Sequence, residues 1–334
     1  MADDKLSVLI GMPQGYWKFF DDETTQNLIN AHPNVLVETT GDPERYAKRL
    51  PETDGAIVID FGIAPEVLNP GSRLRWVHSI RAGTEDLLTP ELIAAEHVAF
   101  TACEGPHAPL IAEHMVLLML SLARQMPGRI KDQENHRWGK DTQGNVRHAS
   151  TQMLGNTIAI LGVGQIGENL ARICKVGFGM KVLGMSRTSR GCEHVDRYFD
   201  RSDLHEALGE ADVVGLCLAL TPSTKGIIGK AEFEAMKPTG LLINAARGGV
   251  INEDALVDAM NAGTIGGAGL DTVGEEPLSE DSPLWDLPNT IITPHAAALT
   301  GGVGAEVGNF MIENIRRFAD GQPLLGAVHR HEGY

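Results

Sequence analysis

The chain has 334 residues, of which 43% are hydrophobic, and a formal net charge of −16 at pH 7. This length exceeds what one ordinary hydrophobic core holds, so two domains are expected. The acidic balance and the lack of a clustered basic face argue against a nucleic-acid-binding surface. Because an acidic chain repels anions at long range, a site for a carboxylate or phosphate must carry its own arginine.

The four cysteines show no disulfide or metal-binding pattern, since none forms a C-x-x-C pair or a zinc-like spacing. They are Cys103, Cys174, Cys192 and Cys217. The segment Met1–Lys5 carries two aspartates and lacks the basic region of a signal peptide. The longest uncharged apolar run, Met115–Ala123, is shorter than the roughly 20 residues of a membrane span. We therefore expect a cytoplasmic protein without a metal site or a membrane association.

The first hundred residues alternate between predicted strands and helices, which is typical of a parallel sheet. The predicted strands are Leu6–Ile10, Val35–Thr39, Ala56–Asp60, Leu74–Ser79 and Val98–Ala102, and the predicted helices are Asp21–Ala31 and Pro43–Leu50. Ligands of such sheets bind at the carboxyl ends of strands, which makes the turn Ile80–Gly83 a candidate site. An ordinary turn marked by glycine is the alternative interpretation.

The next segment combines an apolar helix with a long polar stretch. The pattern predicts a helix over Pro109–Gln125 that Pro127 and Gly128 end. From Arg129 to Gln152 the chain shows no periodicity, and a loop of this length is usually functional or an arm that contacts a partner.

The segment Thr157–Arg190 reads as strand, glycine turn, helix and second strand. An uncharged strand ends at Leu161, and Gly162, Gly164 and Gly167 then form G-x-G-x-x-G around Gln165 and Ile166. The three glycines permit, in order, a tight turn, the approach of a pyrophosphate to the backbone, and close packing of the helix on the strand. The helix amino terminus directs its free NH groups at that phosphate. The segment thus predicts a dinucleotide site, and a glycine-rich turn without a ligand is the alternative.

Three polar residues follow strands of the same unit, where a bound nicotinamide would be presented. The predicted elements are the strands Asp212–Leu220, Leu241–Asn244, Gly267–Leu270 and Thr290–Thr293 and the helices Ala231–Met236, Asn252–Ala262 and Val303–Ala319. Arg247, Glu276 and His295 follow three of these strands. Taken singly they are interpreted as a surface arginine, a solvated glutamate and a turn histidine. Together they offer a carboxylate binder, a carboxylate partner and a titratable acid.

Five segments, in order and spacing, resemble the D-2-hydroxyacid dehydrogenase family, in its glyoxylate/hydroxypyruvate reductase-like branch. They are Leu161–Gly167, Leu220-Thr221-Pro222, Asn244–Gly248, Gly269-Leu270-Asp271 through Glu275–Leu278, and Thr293-Pro294-His295. The resemblance implies an α/β fold of two doubly wound parallel-sheet domains. A Rossmann cofactor domain, residues 105–298, is inserted into a flavodoxin-like substrate domain made of residues 1–104 and 299–334. It also implies a homodimer.

The resemblance assigns a role to each candidate residue. Arg247 holds the substrate carboxylate and polarises the carbonyl, His295 delivers the proton, and Glu276 pairs with His295, where a carboxylate favours the charged imidazolium. Further assignments are a backbone carboxylate contact at Arg81, Ala82 and Gly83, a hydrogen bond from the nicotinamide carboxamide to Asp271, and cofactor contacts at Leu220, Thr221, Pro222 and Ala245.

The second strand of the dinucleotide unit departs from the commonest family pattern. Where an NAD enzyme places an aspartate on the ribose hydroxyls, this chain has Ser186, followed by Arg187, Thr188 and Arg190. Serine and arginines bind a ribose phosphate that an aspartate would repel, so NADP is the expected cofactor and NAD remains possible. A solvated basic turn is the alternative. Arg81 is a second departure, which favours a substrate with an extra anionic group or else points to solvent.

The resulting expectation is NADPH-dependent reduction of a small 2-oxo acid, with glyoxylate or hydroxypyruvate as the default substrate. Formate oxidation fits less well, because formate enzymes of the family need a glutamine where this chain has Glu276. A dinucleotide-sensing regulatory protein on the same fold, without significant turnover, is the alternative from another functional class.

Overall fold

The computed structural model describes residues 5–140, 144–187 and 191–331. The strands are β1 Leu6–Gly11, β2 Val35–Thr40, β3 Gly55–Val58, β4 Trp76–Ser79, β5 Ala99–Ala102, β6 Thr157–Leu161, β7 Lys181–Met185, β8 Arg197–Phe199, β9 Val213–Leu216, β10 Leu241–Asn244, β11 Gly267–Leu270 and β12 Thr290–Ile292. The α-helices are α1 Asp22–Ile29, α2 Pro43–Arg49, α3 Pro90–Ala94, α4 Glu104–Ala123, α5 Met126–Glu134, α6 Gln165–Arg172, α7 Leu204–Glu210, α8 Lys230–Ala235, α9 Glu253–Asn261 and α10 Val303–Ala319.

The chain divides into two compact units. The first comprises the described residues up to His107 and from Leu299 onward. Its five parallel strands are ordered β2-β1-β3-β4-β5, which is the flavodoxin-like order. Helix α10 returns to this unit, where it packs on α1, and Phe318 of α10 lies 5.1 Å from the ring of Trp76 on β4.

The second unit, Ala108–Ala298, is built on a seven-stranded parallel sheet. Its order, β12-β11-β10-β9-β6-β7-β8, is the doubly wound Rossmann order with one added edge strand. The expected α/β fold of two parallel-sheet domains, with a Rossmann cofactor domain, is therefore confirmed.

Both faces of the seven-stranded sheet are buried, as a parallel sheet with helices on each side requires. Along β6, Ile158 and Ile160 pack with apolar side chains of α4 and α6. Ala159 and Leu161 point to the other face, where α7, α8 and α9 cover the sheet. The uncharged run that identified this strand in the sequence thus reflects burial on two sides.

Strand β9 ends four residues before the predicted end at Leu220. Leu216, its last residue, pairs with Leu161 of β6 and with Asn244 of β10, which are the last residues of those strands. Beyond Leu216 neither neighbour continues the ladder, so the chain leaves the sheet.

The segment Arg129–Gln152, predicted to lack regular structure, contains part of a helix. Gln125 adopts a left-handed conformation with φ 53° that ends α4, and α5 begins at Met126. Pro127 lies in the first turn of α5, where a proline is favourable because no intrahelical NH bond is lost. The proline interpreted as a helix stop therefore starts a second helix. Strand β8 and helix α7 were not among the predicted elements.

Among the described helices, α4 has the length and hydropathy that a membrane crossing would require. The same features are typical of a core helix. Its side chains from Ile111 to Ala123 include seven that belong to the core on one face of the sheet. The helix is therefore weak support for a membrane association.

Candidate active site

The loops that follow the strands of the second unit lie at one edge of its sheet, because all seven strands are parallel. Strands β6, β9 and β10 end in register at Leu161, Leu216 and Asn244. Strands β11 and β12 end beside them at Leu270 and Ile292. Ligands of doubly wound sheets bind at this edge.

The glycine loop after β6 has the geometry that its motif predicts. Gly162 has φ 101°, and a Cβ there would lie 2.6 Å from the carbonyl oxygen of Cys217. A Cβ on Gly167 would lie 2.2 Å from the carbonyl oxygen of Gly162. At Gly164 a Cβ would meet nothing within 4 Å. The fold therefore requires glycine at Gly162 and Gly167, whereas Gly164 faces open space.

Helix α6 begins at Gln165, directly after that open position, and its first NH groups have no partner within the helix. A pyrophosphate at this place would accept from these donors and gain from the helix dipole. The loop, Gln165, Ile166 and the helix start thus fit a dinucleotide, whose phosphates would lie against Gly164.

The residues after β7 are described only in part. Ser186 is half-buried and Arg187 is exposed, and both follow the last strand residue, Met185. Thr188 and Arg190, the other two residues predicted to bind the ribose phosphate, lie outside the described residues. The loop Leu220-Thr221-Pro222 is ordered by Thr224, whose hydroxyl donates to the carbonyl of Ala219 and accepts from the Thr221 NH.

Arg247 lies in a turn that the buried side chain of Asn244 shapes. The Asn244 amide donates to the Arg247 carbonyl at 3.0 Å and accepts from the Ala246 NH at 3.1 Å. Gly248 follows, and a Cβ there would lie 1.9 Å from the carbonyl carbon of Val273. This close approach holds the loop with Arg247 against the loop that leads to Glu276. Ala245 is buried.

His295 and Glu276 form the pair that the resemblance implies. Nδ1 of His295 lies 2.7 Å from Oε2 of Glu276, and Oε1 of that carboxylate accepts from the Val273 NH at 3.1 Å. The two side chains are 51% and 37% exposed, so the pair is accessible from solvent. With Nδ1 on the glutamate, Nε2 is the ring nitrogen left for another partner.

Asp271 is 2% exposed and organises the loop that carries His295. Its carboxylate accepts from the Thr293 hydroxyl at 2.6 Å, from the Ala296 NH at 2.9 Å and from the Ala297 NH at 3.0 Å. The contact from Asp271 to a nicotinamide carboxamide stays a prediction.

The structure adds His114 of α4, which the sequence did not single out. Its Nε2 lies 2.9 Å from the Thr293 hydroxyl and 3.6 Å from Oδ1 of Asp271. The available signal was its position on the same helical face as Ile111, Met115 and Leu118, where a polar residue within an apolar stripe needs a partner. In the part of the chain that is described, no group of three or more metal-ligating side chains occurs.

The remaining candidates lie at the carboxyl end of β4 in the first unit. These are Arg81, Ala82 and Gly83. The Arg81 guanidinium forms an ion pair with Asp60, which follows β3, and lies 3.4 Å from the Tyr16 hydroxyl. The positive charge that Arg81 adds to this edge is therefore balanced within the same unit.

Residues 116–297 match the family described as D-isomer specific 2-hydroxyacid dehydrogenase, NAD binding domain, and these residues are more than half of the chain. The chain belongs to the D-isomer specific 2-hydroxyacid dehydrogenase family. This match confirms the resemblance and identifies the protein as an NAD(P)-dependent 2-hydroxyacid dehydrogenase.

Two curated relatives and one solved structure illustrate the likeness. Glyoxylate/hydroxypyruvate reductase B of Pectobacterium atrosepticum is 32% identical, over 84% of this chain and 87% of the relative. Glycerate dehydrogenase of Methylorubrum extorquens is 30% identical, over 90% of this chain and 94% of the relative. The NADPH-dependent glyoxylate/hydroxypyruvate reductase of Sinorhizobium meliloti, solved with NADP and sulfate, is 30% identical with a TM-score of 0.79, covering 98% of this dehydrogenase and all of that chain.

The glycine loop gives a test that separates binding from folding. Gly164→Ala adds a Cβ where the protein has space, so we expect an unchanged melting temperature and a loss of dinucleotide affinity of about tenfold or more, as for overpacking a contact. Gly167→Ala is the matched variant, which should lower the stability by about 1–3 kcal/mol because its Cβ meets the Gly162 carbonyl. Thermal unfolding and calorimetric titration measure both. Unchanged affinity in Gly164→Ala would place the pyrophosphate elsewhere.

Proposed function

We propose that this dehydrogenase catalyses the NADPH-dependent reduction of a small 2-oxo acid to the 2-hydroxy acid, with glyoxylate or hydroxypyruvate as the default substrate. The observation that carries the proposal is the His295–Glu276 pair at 2.7 Å, at the sheet edge where Arg247 also lies. This arrangement provides a positioned proton donor and a guanidinium for a carboxylate.

In this proposal the residues of the chain bind the substrate and supply the proton. When bound, the reduced dinucleotide would supply the hydride to C2 of the oxo acid and would be left oxidised. His295 transfers a proton from Nε2 to the carbonyl oxygen, and the new O–H and C–H bonds together reduce the C=O double bond to an alcohol. Glu276 stabilises the imidazolium before transfer and orients its ring. Arg247 binds the substrate carboxylate through its two-pronged guanidinium.

Two observations support NADP as the preferred cofactor. Strand β7 ends in Met185 and is followed by Ser186 and Arg187, so no carboxylate stands at the position that would repel a ribose phosphate. The similar reductase of Sinorhizobium meliloti was solved with NADP. NAD remains a weaker cofactor in this proposal.

The charge balance at β4 favours a substrate with one anionic group. Because Asp60 neutralises Arg81, the predicted carboxylate contacts at Ala82 and Gly83 have no surplus positive charge beside them. We therefore expect an uncharged substituent on the carbon next to the oxo group. Phosphorylated oxo acids and oxo diacids should be poor substrates.

The proposed proton donor is tested by His295→Ala. We expect kcat for reduction to fall by about two to four powers of ten, because the general acid is lost. His205→Ala is the matched control: this histidine is also exposed and lies 2.9 Å from a glutamate, Glu232, in the same unit. Steady-state rates with glyoxylate, hydroxypyruvate, pyruvate and oxaloacetate, each with NADPH and NADH, measure both variants and the wild type. Tight dinucleotide binding without turnover in the wild type would support the sensing protein instead.

The cofactor preference is tested by Arg187→Ala. Loss of a charge-assisted phosphate contact of about 1.5–3 kcal/mol should raise the KM for NADPH roughly 10- to 100-fold and leave that for NADH unchanged. Arg197→Ala is the control, since Arg197 on β8 pairs with Glu206 and Glu210 and should not affect either cofactor. An equal rise of the KM for NADPH and for NADH would show that Arg187 does not bind the ribose phosphate.

We also propose a homodimer that forms through α4 and the segment Arg129–Gln152, which includes part of α5. This region exposes Leu117, Ile130 and Trp138, the last of them at 89%. Light scattering should give twice the monomer mass for the wild type. For the Trp138→Glu variant it should give the mass of one monomer. Trp285→Glu is the control, because Trp285 is 52% exposed on another part of the same unit. A wild-type monomer at micromolar concentration would contradict the proposal.

We propose a cytoplasmic location because the cysteine thiols are unpaired. All four cysteines are free. Burial raises the pKa of Cys103, Cys174 and Cys217 to about 12, which keeps these thiols protonated and unreactive. Unpaired buried thiols are typical of proteins of a reducing compartment, and fractionation of cells that express the chain tests the location.

A further inference from the structure

We propose that His114 and Thr293 are positioning residues for the proton donor, acting through the buried Asp271 carboxylate. The inference rests on the proposed function, because it takes His295 as the group that delivers the proton. His114, Thr293 and Asp271 come from three elements of the second unit: α4, the end of β12 and the end of β11.

The direction of each hydrogen bond follows from the donors available. The Thr293 hydroxyl has one proton, and it donates this proton to Oδ1 of Asp271 at 2.6 Å. The hydroxyl oxygen must then accept from Nε2 of His114, which lies 2.9 Å away. The result is a directed relay from His114 through Thr293 to Asp271.

The far end of the relay fixes the backbone around His295. Oδ1 and Oδ2 of Asp271 accept from the Ala296 and Ala297 NH groups, and the Asp271 carbonyl accepts from the His295 NH at 2.9 Å. His295 has φ 52°, a left-handed conformation that costs a non-glycine residue free energy. The three bonds to Asp271 therefore hold His295 in a conformation that its backbone alone disfavours.

The relay orients Asp271 because the carboxylate is almost fully buried. A carboxylate with 2% exposure that loses a donor cannot replace it with water at no cost, so it rotates toward other donors or loses its fixed orientation. Either change shifts the Ala296 and Ala297 NH groups and with them the imidazole of His295. Proton transfer is sensitive to such shifts, since a displacement of about 1 Å costs up to about 100-fold in rate.

The test uses isosteric threonine variants of the full chain. Thr293→Val keeps the shape and removes the hydroxyl, and we expect kcat to fall about tenfold. The KM for the oxo acid should stay within about twofold, because Arg247 lies on a different loop. Thr293→Ser, which keeps the hydroxyl, should restore kcat. Thr272→Val is the matched control: its hydroxyl is buried without a hydrogen-bond partner among the described residues, so kcat should not change.

His114 provides the second arm. His114→Leu should reproduce the kcat loss of Thr293→Val, and His114→Gln, whose amide nitrogen lies near the place of Nε2, should recover most of it. The double variant His114→Leu/Thr293→Val should be no worse than either single variant, because both break the same relay. Additive losses, or a Thr293→Ser variant as impaired as Thr293→Val, would overturn the proposal.

Amide exchange of the chain without cofactor separates this proposal from the proposed function. Thr293→Val and His114→Leu should speed exchange of the Ala296 and Ala297 amides about tenfold, whereas Thr272→Val should not. If exchange speeds up but the wild type reduces no 2-oxo acid, the relay holds the loop and the proposed function fails. If kcat and exchange both stay unchanged in Thr293→Val, the relay has no positioning role.

Discussion

The buried carboxylate of Asp271 is the constraint on which the loops at the carboxyl edge of the seven-stranded sheet depend. Moving an isolated carboxylate from water into a protein interior costs several kcal/mol, so it persists only where donors surround it. Here the donors are a hydroxyl and two backbone NH groups, and all of them belong to the segment from Thr293 to Ala297. The hydrogen bonds that satisfy the Asp271 carboxylate therefore also fix the loop that presents His295.

Close backbone approaches join the neighbouring loops to this one. Gly248 leaves no space for a side chain beside Val273, and Val273 in turn donates its NH to Glu276. The turn that carries Arg247 thus lies against the segment that carries the partner of His295. The loops that carry Arg247, Glu276 and His295 are therefore fixed by close backbone approaches and by hydrogen bonds from the backbone to the side chains of Asn244 and Asp271.

Much of this arrangement could be predicted from the sequence, where local patterns decide the structure. The strands Leu241–Asn244 and Gly267–Leu270 and the helix Val303–Ala319 have the predicted bounds, since apolar runs and flanking glycines mark them. The predicted end of β9 was wrong because the end of a strand depends on neighbouring strands that lie far away in sequence. Helix α5 was missed because Pro127 was interpreted as a stop. His114 was missed for a related reason: its partners, Thr293 and Asp271, are more than 150 residues away in the chain. The periodic spacing of apolar residues along a helix does not indicate such a contact.

The acidic surface and the cationic contacts of the proposed site act over different distances. At physiological ionic strength the Debye length is about 8 Å, so most of the net charge of −16 is screened before it affects a substrate that is already bound. A contact such as Arg247 with a carboxylate at about 4 Å is worth about 4 kcal/mol at an effective dielectric constant near 20. The local guanidinium therefore outweighs the surface charge for a bound anion. The same short range applies to Arg81, whose charge Asp60 cancels. Selection between substrates with one and two anionic groups then depends on the charges within a few ångströms of the bound group, rather than on the net charge of the chain.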